Sequence, residues 1–245
     1  MQIANALLIS TIAGLSTVIG GLIVFLKIKN IDKIITFCLS FTATIMIGIS
    51  VLELFPESFF TLLNKYTFLT TILSVILIFV IGIIIIRVIN HLLKNTNNLY
   101  KIGILNMIAL ILHNFPEGIT TFITSMHDID IGIKIGIAIM FHNIPEGIAI
   151  AAPIYCATNN KLKAISKTFI SGLSEPLGAI FAYLFLKNYI DEYLISFLLI
   201  IVSAIMISLS LEKLLPEAMS HNSKKMLKMG LILGLMALFI SLFVL

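Results

Sequence analysis

His113-Asn114-Phe115-Pro116-Glu117-Gly118 recurs, almost letter for letter, as His142-Asn143-Ile144-Pro145-Glu146-Gly147. Each copy lies inside a long apolar segment and sets an imidazole, an amide and a carboxylate beside a proline. An ionisable side chain held alone at the centre of a bilayer costs roughly 3 kcal/mol or more. Two such motifs need each other, or a shared partner, and the rest of the chain says which.

Of the 245 residues, 59% are hydrophobic and 11% are charged, whereas a soluble domain carries roughly 25% charged residues. So much apolar surface needs lipid as its solvent, and the bilayer is the first expected partner. Apolar segments of spanning length lie near 3–26, 34–56, 67–90, 102–126, 131–156, 164–186, 193–216 and 226–245. The expected fold is therefore an all-α polytopic membrane protein with eight transmembrane helices, residues 1–245 forming a single transmembrane transport domain. The first segment has no basic start and no small-residue cleavage site, so it reads as a retained span. Turn and charge clusters at 27–33, 57–65, 90–101, 127–130, 159–163, 187–192 and 217–225 mark the joints. The formal charge of +4 belongs to those joints and implies no nucleic acid. Cys38 and Cys156 have no motif spacing and read as unpaired thiols.

Lys27, Lys29, Lys33, Arg87, Lys94, Lys101, Lys161, Lys163, Lys167, Lys213, Lys224, Lys225 and Lys228 fall on one side of this topology. Only Lys65, Lys134 and Lys187 fall on the other. The positive-inside rule makes the first side cytoplasmic and puts both termini outside. A second repeat supports the topology. Ile45, Met46, Ile47, Ser50, Leu54, Pro56 and Glu57 match Ile205, Met206, Ile207, Ser210, Leu214, Pro216 and Glu217 at a constant offset. The matched spans, second and seventh, run in opposite directions, as do the fourth and fifth that carry the hexapeptides. Three helices, a central pair, then three helices inverted (a 3+2+3 arrangement) is the pattern of transporters with a midplane site.

The spacing also specifies chemistry. His113 and Glu117 stand at i and i+4, on one helix face about a turn apart, and His142 and Glu146 repeat the geometry on the antiparallel partner. Two imidazoles and two carboxylates converging from facing helices suit Zn²⁺ or a similar divalent ion. Asn114 and Asn143, about 100° further round their helices, offer amide oxygens to a second ion that shares Glu117 and Glu146. Pro116 and Pro145 cannot donate to the carbonyls of Leu112 and Phe141, so a break in each helix is expected beside the site. Glycine after each motif lets another backbone come close. The sixth span repeats the theme in Ser174-Glu175-Pro176-Leu177-Gly178. Taken alone, Met46 reads as packing. Glu53, Glu57, Glu212 and Glu217 read as solvated span ends, with a place on the entry or exit path as the lesser alternative, and His91, His127 and His221 as incidental loop residues, with transient capture of metal as the lesser alternative.

At these residues the chain resembles the ZIP family of divalent-metal transporters, and within it the bacterial ZupT-like branch. The resemblance covers essentially the whole chain. Its carriers are Ala13 through Thr17, Gly20-Gly21, Met46 through Pro56, the two hexapeptides, and Ser171 through Pro176. It implies import of zinc, and of iron, manganese and cobalt, across the cell (plasma) membrane, these ions being cargo rather than cofactors. One ion would be held by His113, Glu117, His142 and Glu146 with Met46 nearby. A second would be held by Asn114, Asn143 and Glu175, bridged by Glu117 and Glu146. Spans 1, 4, 5 and 6 would move as an elevator against spans 2, 3, 7 and 8. Two departures stand out. The histidine-rich loop that many members carry between spans 3 and 4 is reduced here to His91. Asn143 replaces the aspartate of some members, which predicts weaker binding of the second ion.

Two rivals remain beside this reading. A metal-selective channel would use the same ligands. An intramembrane metal-dependent hydrolase would bury similar groups, but His-Glu-x-x-His is absent and no serine or cysteine sits in a nucleophile motif. No enzymatic activity is expected. The sequence leaves the preferred metal and the energy coupling open, and a homodimer stays compatible with it.

Overall fold

Polar joints in the sequence become helix caps. The side chains of Asn30, Thr67, Asn97, Asp128 and Asn160 each accept a backbone N–H from the first turn of the adjoining helix. Such a cap is worth about 1 kcal/mol. At the end of one long helix Asn159 takes the left-handed conformation, φ 50°, which asparagine tolerates better than most residues. A computed structural model describes residues 2–26, 30–186, 192–221 and 223–244. The expected joint residues at 27–29 and 187–191, with residue 245, lie outside the described residues.

The helices are α1 (Gln2–Gly21), α2 (Ile31–Ile49), α3 (Phe55–Lys65), α4 (Phe68–Leu92), α5 (Asn98–His127), α6 (Ile129–Thr158), α7 (Lys161–Gly172), α8 (Ser174–Phe181), α9 (Glu192–Leu209), α10 (Leu215–Ser220) and α11 (Lys224–Val244). Several join end to end, so that the described residues contain 7 helical stretches long and apolar enough to cross a membrane. α5 and α6 have 30 residues each, about 45 Å of helix against a hydrocarbon core of about 30 Å. α4 shows what the solvent is. It is apolar all round, yet only Thr71, Val75, Gly82 and Ile86 are buried, while Leu69, Leu77 and Leu92 stand 66%, 63% and 76% exposed. A helix of this kind has its outer faces in lipid.

Two expectations about proline need correction. The second and seventh spans do not stop at Pro56 and Pro216. Each continues, through α3 and α10, by way of a wide turn at Ser50–Leu54 and Ser210–Leu214 in which the N–H of Phe55 bonds to Ser50 O and that of Leu215 to Ser210 O. The i to i+5 pairing gives the proline ring room where a regular turn would press it against the carbonyl four residues back. The repeat seen in sequence thus reappears as a repeated backbone irregularity. Pro116 and Pro145 also leave their helices unbroken, since α5 and α6 run helical from end to end. Each proline removes one hydrogen bond without interrupting the rod.

The helices pack in two sets. α1 lies along α6, α5 along α6 and α8, and α7 against α1 and α6. In the other set α2 lies along α11, α4 along α9, α3 against α9, and α10 against α2. Contacts of α2 and α11 with α6, and of α5 with α9, join the sets. Met46 and its repeat counterpart Met206 are both fully buried in one apolar cluster with Leu39, Ile49, Leu105 and Leu209.

Candidate metal centre

Close backbone approach locks α5, α6, α8 and α1 around the twin motifs. A Cβ at Gly118 would lie 1.9 Å from the carbonyl oxygen of Glu175, and one at Gly147 would lie 1.8 Å from that of Thr17. No side chain larger than hydrogen fits at either position, as the residue after each Pro-Glu suggested. Because Gly118 brings α8 onto α5, Glu175 reaches the same interior layer as the hexapeptides.

Three side chains converge there. Nε2 of His142 lies 2.9 Å from Oε1 of Glu117, and Nε2 of His113 lies 3.7 Å from its Oε2. One ligand atom from each of His113, Glu117 and His142 fits within a mutual distance of 4.8 Å. The two imidazole centroids are 6.2 Å apart. His113 is 1% exposed, and neither of its ring nitrogens has a hydrogen-bond partner. A buried polar group without a partner costs several kcal/mol, and a divalent cation satisfies imidazole nitrogen and carboxylate oxygen together. The donor set fits such a cation.

One helical step away lies a second polar chain. Asn114 Nδ2 donates to Asn143 Oδ1 at 3.4 Å, and Asn143 Nδ2 donates to Glu175 Oε2 at 3.0 Å and to Ala13 O at 2.9 Å. These three side chains are fully buried, and the Asn114 Oδ1 and Glu175 Oε1 atoms have no hydrogen-bond partner. The residues expected around a second ion are therefore in contact with one another. Their amide protons already serve as donors, which a sequence offering amide oxygens did not reveal.

Glu146 departs from the symmetric expectation. It is fully buried with neither carboxylate oxygen hydrogen-bonded, and it stands outside the trio of converging ligand atoms. It remains within electrostatic range of His142 and Glu117, as Glu175 does of Glu117 and Glu146. Met46 sits in the apolar core already described.

A cavity of about 400 Å³ leads away from His113 and Glu117. Its walls include Thr120, Thr121 and Thr124, one face of α5, and Glu53 and Glu57 opposite them. Glu53 is the functional candidate that the sequence reading ranked too low. It is no solvated span end. It is half-buried, faces this cavity, and lies within electrostatic range of Glu117 and His142. A 3.6-residue period does not give its direction, because the wide turn at Ser50–Leu54 shifts the helical phase there. Glu212, by contrast, forms an exposed pair with Arg87 at 3.3 Å, worth at most about 1 kcal/mol. Cys38 and Cys156 are free thiols.

Residues 94–242 match the family profile described as ZIP Zinc transporter. Among proteins of similar sequence, a relative from Streptococcus mutans is 36% identical over 254 aligned residues, covering 97% of this chain and 96% of its own. One from Chlorobium limicola is 37% identical, with 98% and 97% covered. A third, from Oceanobacillus iheyensis, is 35% identical with the same coverage. Each of these relatives is named zinc transporter ZupT.

Proposed function

The chain belongs to the ZIP zinc transporter family, and from that premise we propose that it imports divalent transition-metal cations across the plasma membrane into the cytoplasm. The observation that carries the reading is the convergence of His113, Glu117 and His142 within 4.8 Å in the interior of a membrane-embedded helix bundle. Zinc is the primary cargo, and the mixed imidazole and carboxylate donor set also suits iron, manganese and cobalt.

The transport site is a two-metal centre. His113, Glu117 and His142, with Glu146 alongside, hold the first ion near Met46. Asn114, Asn143 and Glu175 take the second, with Glu117 and Glu146 between the two. The orphaned oxygens of Glu146 and Glu175 support this assignment, because a second cation would satisfy them. Both termini lie outside, and α11, 21 residues long and packed along α2, is the eighth span of the 3+2+3 arrangement. The division of the helices into two packed sets supports a carrier cycle in which α1 with α5 to α8 moves against the rest. No step of this cycle is an enzymatic reaction. Metal uptake by the purified protein in liposomes tests the proposal. Saturable uptake of zinc, competed by iron and manganese and lost in Glu175→Ala, is the expected result. Single-channel currents through the same preparation would replace the carrier by a channel.

A further inference from the structure

A second arrangement of metal-ligating groups sits at the opposite end of the molecule from the Glu53 cavity, where three connections meet. His221 comes just after α10, Asp32 lies in the first turn of α2, and Asn98 opens α5. Nδ1 of His221 is 3.1 Å from Oδ1 of Asp32, a hydrogen-bond distance, while Nε2 of His221 is 3.5 Å from Oε1 of Glu217. The second separation is too long for a hydrogen bond, and that buried Nε2 has no hydrogen-bond partner. A tetrahedral ion with ordinary zinc–nitrogen and zinc–oxygen bonds holds its two donors roughly 3.4 Å apart. Glu217 and His221 are largely buried, with side chains 16% and 17% exposed. Asn98 Nδ2 donates to the other Glu217 oxygen, Oε2, and so aims Oε1 at the imidazole.

We infer that Glu217 and His221 form a divalent transition-metal site on this face, with Asp32 and Asn98 as positioning residues. Asp32 accepts the Nδ1–H and leaves the Nε2 lone pair free for the metal, the carboxylate–histidine–metal relay common to zinc sites. Two protein ligands leave the remaining positions to water, so the site binds weakly and exchanges quickly. The inverted repeat gives it a place in the pathway. Glu217 is the counterpart of Glu57, which lines the cavity at the other end. Matched carboxylates thus stand at opposite ends of the molecule. That this end is the releasing one rests on the import reading, but the binding of metal to it does not.

Zinc titration calorimetry on the purified full-length protein tests the site. The expected result is the tight binding of the centre plus one weaker equivalent. His221→Gln removes that equivalent and leaves the centre unchanged. His113→Ala combined with His142→Ala does the reverse. Asp32→Asn, at a side chain 61% exposed and so tolerant of change, keeps the weak equivalent with affinity lowered about 10-fold; should His221→Gln fail to fold, this variant decides. No weak equivalent in the wild type, or isotherms of His221→Gln and Asp32→Asn that match it, would overturn the inference. Failure of liposome uptake would overturn import alone and leave this titration standing.

Discussion

The two hexapeptides share five of six residues and both lie in unbroken helix, yet they do not play equal parts. In the first copy, Glu117 reaches both imidazoles and borders the cavity. In the second, Glu146 is sealed, unpaired and outside the converging trio. Packing around the copies is nearly symmetric, since Gly118 and Gly147 each receive a carbonyl from a neighbouring helix. What differs is the third party. α5 faces Glu53 and Glu57 across open space, whereas the hexapeptide of α6 is met by α1 at Gly147 and by α2, whose Thr42 donates to Pro145 O. A duplicated motif therefore supplies a common list of candidate ligands, and the neighbours decide which carboxylate borders the cavity and which is sealed behind it.

The largest effect should come from exchanging the two carboxylates for amides of the same shape. Glu117→Gln removes charge from the group that touches both histidines, and zinc affinity should fall by about 100-fold or more. Glu146→Gln should cost roughly 10-fold. Equal losses in calorimetry would erase the distinction between the copies. Next in size is Asn143→Asp. It strengthens the negative charge beside the proposed second ion but gives up the hydrogen bonds to Ala13 and Glu175, at about 1–3 kcal/mol. The metal-stripped variant should melt at lower temperature and gain more from added zinc than the wild type. An unchanged melting point without metal would contradict the donor role of the amide.

Packing symmetry makes a matching pair of predictions. Gly118→Ala and Gly147→Ala should each destabilise by about 1–3 kcal/mol, because a methyl would meet backbone that cannot turn aside. Their melting temperatures should fall together, and a loss confined to one copy would show that the helices pack unequally. A smaller change is expected at Glu53→Gln. Zinc uptake at low concentration should drop roughly 3-fold, with the maximal rate kept, because the carboxylate draws cations into the cavity without holding them. A lowered maximal rate with unchanged low-concentration uptake would remove Glu53 from the approach path. The mildest test is pH. Zinc must displace protons from the imidazoles of His113 and His142, so affinity should decline as the medium is taken from neutral to mildly acidic. Equal affinity at mildly acidic and neutral pH would contradict imidazole ligation.

Much of the fold and the site was legible in the sequence, for physical reasons that can be named. Apolar length marked the long helices, of which the described residues hold 7 able to cross a membrane against the eight expected, i to i+4 spacing set His113 beside Glu117, and the glycines after Pro-Glu gave the close helix contacts. Proline misled. The spans drawn to 56 and 216 by apolar length run on past Pro56 and Pro216, because a wide turn takes the ring that a regular turn cannot. The same turn shifts the helical phase within it and beyond it. That is why the direction of Glu53 could not be taken from a 3.6-residue period. His221 looked idle because Asp32, which meets its Nδ1, comes from a separate connection, a proximity that no local pattern encodes, although Glu217 stands one helical turn before it. The second polar chain was readable in its members, but the direction of its amide protons depended on Ala13, contributed by α1.

The central claim is that two distant hexapeptides make one transport site, and radiolabelled zinc uptake into proteoliposomes tests it most directly. His113→Ala and His142→Ala, measured separately against wild type, should each lose nearly all saturable uptake while keeping the folded, monodisperse state of the parent. Near-complete uptake by either variant, with loss in the other, would mean that the halves do not act as one site.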